Sequence, residues 1–213
     1  MKSLQTVGGI AALLQGVLFV VFPVFLFVLL PSQGLGAATG PDALGSPSEV
    51  LPVASKSPLV QIFSLLDVPV AVCLILVVLT LHERLQANSP LVMQIATASG
   101  LIATVLFLAV GMARFTSVSQ LASLYSQDQA GVATAYLAAS AVIEGLNNGG
   151  VFAFGWWVLL VSWAGLRTGG MPKLLSYLGL LFGVTGIITF ALPVPPVLGI
   201  VWFLWLGAVL WRS

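Results

Sequence analysis

From Val7 to Leu30 the chain runs 24 residues without a charged side chain, and stretches of this kind recur to its end. A helix of roughly 20 such residues crosses a hydrocarbon core of ~30 Å, because each residue advances the helix by about 1.5 Å. The apolar runs place spans near Val7–Leu30, Leu59–Leu81, Leu91–Ala113, Ala135–Leu166, Leu174–Leu192 and Val197–Trp211. The expected fold is therefore all-α: a polytopic membrane protein of six transmembrane helices, forming one domain over residues 1–213. The fourth run is longer than a span needs. The sixth is short and is expected to borrow Pro195 and Pro196 or to sit where the bilayer thins. Composition agrees, since charged residues make up 6% of the chain against about 25% in a soluble domain. There is not enough polar surface here to coat a globule.

The few charges set orientation and exclude several chemistries. With the amino terminus inside, Lys2, Arg84, Arg167, Lys173 and Arg212 are cytoplasmic, and Lys56 and Arg114 lie outside. That asymmetry follows the positive-inside rule and puts both termini in the cytoplasm. A net charge of +1 gives no basic face for nucleic acid. The first apolar run is too long for a usual signal-peptide core, so it is expected to be retained. Cys73 is the one cysteine and His82 the one histidine. An intramolecular disulfide, paired histidine ligands to haem and a three-histidine zinc site are thereby excluded within one chain. No lysine falls mid-span to form a Schiff base, and no Gly-rich phosphate loop is present. Neither an enzyme nor a cofactor is expected.

Two outer segments stand out. Residues 31–58 form the long extracytoplasmic loop, rich in Pro, Gly, Ser and Ala, with only Asp42, Glu49 and Lys56 charged. Its scattered Leu and Val suit a loop lying over the outer helix ends or against a partner; a floppy tether is the alternative. Between the third and fourth spans, Val118, Leu121, Leu124 and Tyr125 recur at helical spacing. This predicts an interfacial amphipathic helix over 117–130. The competing reading is an outward extension of the third span.

The stretches LLDVPVAVCLILVVLTLHERL, SPLVMQIATASGLIATVLF and GGVFAFGWWVLLVSWAGLRTGGMPKLLSYLGLLFGVTGI resemble a family of small bacterial six-helix membrane proteins that carry a domain of unknown function. The resemblance covers most of the chain and rests on apolar texture and on a hairpin in which Leu166 and Arg167 precede Gly169, Pro172, Leu175 and Gly179. It implies a six-span protein of the bacterial cytoplasmic membrane and brings no activity, substrate or catalytic residue.

Within the spans, two carboxylates stand out, Asp67 and Glu144. An Asp at a helix centre costs about 2.5–3.5 kcal/mol on insertion scales, so each needs a partner. Asp67 lies ~21 Å from the inner end of its helix by the rise per residue, and Pro69 beside it removes the hydrogen bond to the Leu65 carbonyl. Pro23 frees the Phe19 carbonyl at a similar depth. Glu144 counts out close to the outer boundary. Arg114 is the natural partner for either acid, locking two of the second, third and fourth spans together. With Asn147 and Asn148, these residues make the candidate polar pocket or ion pair. Ala141, Gly145 and Gly149 form a small-residue stripe at four-residue spacing, and Gly179 and Gly183 give the fifth span a matching one, so these two spans are expected to touch. Trp156, Trp157, Trp202 and Trp205 sit deep enough to fill core space or to face a bound lipid, quinone or pigment.

Two functions fit. The first is a structural or accessory subunit that docks on other membrane proteins, or on copies of itself, within the lipid bilayer. The alternative is binding or transport of a small molecule, lipid or ion through an outer-half pocket around Asp67 and Glu144.

Overall fold

A computed structural model of the chain describes residues 2–32, 46–188 and 197–212, and every regular element in them is helical. Helix α1 spans Lys2–Val24 and passes through a π-helical turn, Phe25–Leu29, into the short α2, Leu30–Ser32. After the undescribed residues come α3 (Pro47–Ala54), α4 (Pro58–Ser64), α5 (Asp67–Leu85), α6 (Pro90–Leu124), α7 (Gln129–Thr168), α8 (Lys173–Ile188) and α9 (Val197–Trp211). Four stretches are long and apolar enough to cross a membrane: Leu4–Ser32, Pro58–Leu85, Pro90–Leu124 and Gln129–Thr168. The protein is membrane-embedded. Helices α8 and α9 are apolar but have 16 and 15 residues, or about 24 and 22 Å at the helical rise. Pro195, Pro196 and the end of the fifth predicted span lie outside the described residues.

The prolines explain where regular helix fails. Pro23 lies inside α1 and cannot donate to the carbonyl one turn back. The ladder loosens just beyond it, and Leu30 N–H reaches back five residues to the Phe25 carbonyl. The second predicted span is not one helix. It breaks at Leu65 and Leu66, where the N–H groups of Leu65, Leu66 and Val68 close tight turns onto Ile62, Phe63 and Leu65. Pro69 then falls in the first turn of α5, where a missing N–H costs nothing.

One expectation about the connecting segments changes, and another gains detail. Residues 117–124 are not a separate amphipathic helix; they continue α6 without interruption. Val118 is buried, and Leu121 and Tyr125 pack against the same apolar cluster, so packing extends the helix rather than laying it flat. Within the 31–58 loop, residues 46–54 are ordered as α3 and its N-cap, with Val50 and Leu51 wholly buried. Residues 33–45 lie outside the described residues.

The chain packs as two compact units. One comprises Met1–Val20, Val70–Leu106 and Asn148–Ser213. Its helices meet at glycines. A methyl added to Gly155 would lie 2.9 Å from the Ile187 nitrogen and 3.0 Å from the Gly183 carbonyl oxygen. One added to Gly183 would lie 2.7 Å from the Leu159 nitrogen, so α7 and α8 touch backbone to backbone. Gly9 and Gly207 bring α1 and α9 together in the same way, with the Gly9 methyl position 3.0 Å from the Trp211 nitrogen. Buried Trp157, Trp202, Phe154 and Phe203 fill the space between helices. At one end, Gly169 adopts φ 67° to stop α7, and Arg84 Nε donates to the Gly170 carbonyl at 3.0 Å.

The other unit comprises Val21–Pro69 and Phe107–Asn147. Leu30, Val50, Leu51, Ala54, Val60, Phe63, Val118, Val132 and Tyr136 are its core. Phe63 on α4 packs against Phe22 and Phe25, with ring centroids 5.2 and 6.1 Å apart. The broken helix and the π-helical turn thus share one aromatic contact.

Because Gly183 has backbone for a neighbour, Gly183→Ala is expected to lower the thermal midpoint of the detergent-solubilised protein by an overpacking cost of about 1–3 kcal/mol. Gly145→Ala, with nothing within 4 Å of the added methyl, is expected to leave the midpoint unchanged or slightly raised. Equal losses in the two variants would mean that the α7–α8 seam is not held by this approach.

Candidate functional site

The break before α5 decides where the buried acid sits. Asp67 is the first residue of α5, so its carboxylate stands at the positive end of the helix dipole. It is 8% exposed, too buried to rely on water. Arg114, on α6, donates from Nη1 to Asp67 Oδ2, and each of the two side chains is 11% exposed. Close approach of the helices makes this possible. Gly111 lies one turn before Arg114, and a methyl there would stand 3.1 Å from Asp67 Cβ and 3.3 Å from the Val68 nitrogen. A larger residue would push α6 away and stretch the pair.

Arg114 therefore chooses Asp67. Glu144 is half-buried and forms no ion pair among the described residues; Asn147 is half-buried and Asn148 exposed. Counting along the sequence puts both acids within reach of Arg114, and the structure pairs it with Asp67. The pair joins the second and third predicted spans.

The small-residue stripe also divides. Ala141 and Gly145 are exposed, a methyl added to Gly145 would meet nothing within 4 Å, and one added to Gly149 would stand 3.5 Å from the Leu106 side chain. Gly179 and Gly183 do meet α7, but against Ser162, Leu159 and Gly155. The two helices touch through a different glycine from those the four-residue spacing singled out. Gly155 was readable in principle, since it stands 28 residues before Gly183 across a short hairpin.

Several polar groups outside the predicted set are tied locally. His82 Nδ1 lies 2.7 Å from Thr97 Oγ1, and Thr80 Oγ1 donates to the Leu76 carbonyl at 2.7 Å. Two open clefts are lined by neither Asp67 nor Arg114. One of about 550 Å³ is bounded by Asn88, Ser89, Pro90, Arg167 and Thr168, the other of about 490 Å³ by Pro52, Lys56, Ser57 and Pro58. Among the described residues no group of three His, Cys, Asp or Glu side chains gathers as a metal site would need. Of the deep tryptophans, Trp157 and Trp202 are wholly buried, while Trp156 is 41% exposed.

Chemically, a buried carboxylate–guanidinium pair at a helix break can exchange partners with an ion or polar solute. Removing one member leaves the other charge uncompensated. Arg114→Ala is expected to destabilise the protein by about 3–5 kcal/mol, read as a lower thermal midpoint in detergent. Lys56→Ala, at an exposed position, should change little. A midpoint for Arg114→Ala within error of that for Lys56→Ala would show that the pair carries no stability.

No curated protein and no solved structure matches the chain. One family does, over residues 45–212: that described as "Domain of unknown function (DUF4386)". This match takes in α3 to α9, including both members of the ion pair and the α7–α8 seam. The chain belongs to the DUF4386 family, whose function is not known.

Proposed function

We propose that this chain is a six-span protein of a bacterial cytoplasmic membrane, with both termini inside, that binds or moves a small polar solute, ion or lipid headgroup at the Asp67–Arg114 pair. The observation that carries this reading is the placement of a buried ion pair where an apolar helix is interrupted. Interrupted helices expose backbone groups that only protein or a ligand-lined cavity can satisfy, and membrane carriers build their sites around them. Ionisable groups in such segments mark ion and substrate paths. The π-helical turn Phe25–Leu29, joined to α4 through Phe63, adds a second irregular segment of the kind found beside functional sites. Six spans follow if α8 and α9, at 16 and 15 residues, cross a locally thinned bilayer. The reading needs no covalent chemistry.

A second reading, an accessory subunit that docks on other membrane proteins or on its own copies, rests on the open face of α7. There Ala141 and Gly145 are exposed beside half-buried Glu144, an arrangement that lets another backbone approach.

The test compares the wild type with Asp67→Asn/Arg114→Gln, which removes both charges and strands neither. Both are placed in nanodiscs and their thermal midpoints followed against chloride, phosphate, amino acids and phosphatidylglycerol. At least one of these classes is expected to raise the wild-type midpoint and leave the neutral variant unmoved. If every compound shifts the two proteins alike, or shifts neither, the site reading fails. A stoichiometric membrane partner that co-purifies in that case would favour docking.

A further inference from the structure

Buried hydroxyls in this protein follow a habit. Ser64 donates to the Val60 carbonyl at 2.8 Å, Thr80 to Leu76 at 2.7 Å and Thr104 to Gly100 at 2.9 Å. Each is satisfied one turn back on its own helix. Ser162 on α7 and Ser176 on α8 depart from it. Both are wholly buried, and neither hydroxyl oxygen has a hydrogen-bond partner among the described residues. Trp202 on α9 and its neighbour Trp157 on α7 share this state: both rings are wholly buried, and neither indole N–H has a partner among the described residues.

Two of these groups, Ser162 on α7 and Trp202 on α9, meet at one point on α8. The point where a methyl on Gly179 would stand is met by both Ser162 Oγ and Trp202 Nε1. Ser176 lies three residues before Gly179, on the same face of α8. The surrounding wall is aromatic. Trp157 stands edge-on to Trp202 with centroids 5.9 Å apart, Phe203 does so at 4.9 Å, and Phe182 lies at 6.3 Å. Glycine at 179 leaves its methyl position to the Ser162 hydroxyl and the Trp202 indole, which both lie against α8 there.

We propose that Ser162, Ser176 and Trp202 form a buried binding site for one uncharged hydrogen-bond acceptor oxygen. An indole N–H only donates, whereas a serine hydroxyl donates or accepts, so the set is donor-rich and without formal charge. A neutral oxygen satisfies it, and a carboxylate would find no counter-charge in these three side chains. Removing such donors from water without a new partner is unfavourable, which favours occupation. The oxygen belongs either to an internal water or to the carbonyl or hydroxyl of an apolar small molecule, and aromatic walls accommodate both. This site is separate from the Asp67–Arg114 pair and stands or falls without it.

Indole proton NMR of the detergent-solubilised protein tests the proposal, with the Trp202 resonance assigned by Trp202→Phe and native mass spectrometry run in parallel. In the wild type the Trp202 indole proton is expected to be shifted downfield. It should also cross-relax with a long-lived water, or the protein should carry a stoichiometric small-molecule adduct. The first result identifies water as the occupant and the second an apolar ligand. In Ser162→Ala and in Ser176→Ala, both conservative enough to fold, the downfield shift and the water contact or adduct should be lost. A wild-type indole proton that meets neither water nor an adduct overturns the proposal. So does one bonded only to the Ser162 hydroxyl, or one whose resonance stays unmoved in both variants.

Discussion

Backbone hydrogen bonding is the constraint from which the rest of the structure descends. In a chain that is 59% apolar and faces hydrocarbon, each N–H and C=O must pair inside its own segment, which leaves the helix as the economical form. Every described element is accordingly helical, and apolar side chains such as Leu91, Ile102, Val105 and Val142 remain more than half exposed. Exposure of apolar side chains is the ordinary condition of such a surface and marks no site. The informative places are those where the ladder fails.

It fails twice in the unit that holds the ion pair, and both failures trace to proline. Beyond Pro23 the helix takes up an extra residue as a π-helical turn. Before Pro69 it stops, turns at Leu65 and Leu66, and restarts at Asp67. The restart turns a mid-run acid into a first-turn acid, which the helix dipole favours. Gly111 then lets α6 come close enough for Arg114 to reach it. A buried pair of this kind adds little net stability compared with apolar residues of the same shape.

Packing elsewhere is a matter of backbone approach. Without a hydrophobic drive between helices in lipid, close van der Waals contact and interhelical hydrogen bonds must hold them, and small residues permit both. Gly155 against Gly183, and Gly9 against Gly207, serve α7–α8 and α1–α9. Gly145, with the same spacing logic in its favour, faces open space. A four-residue repeat shows that one side of a helix is smooth; it does not show which neighbour that side meets.

The sequence by itself determined the all-helical class, the places of the apolar runs, and Asp67 and Arg114 as a candidate pair. These depend on local chemistry, namely the length of an apolar run, a proline's missing N–H and the cost of a charge away from water. It did not disclose that the second run breaks before Asp67, that 117–124 extends α6, or that Gly155 rather than Gly145 meets the fifth run. Nor did it show that Ser162 and Trp202 meet at Gly179 or that Arg114 pairs with Asp67 rather than with Glu144. Those outcomes depend on the rotation of each helix about its axis and on the partner that fills the space beside it. Many distant contacts settle both together, so only the tertiary structure decided them.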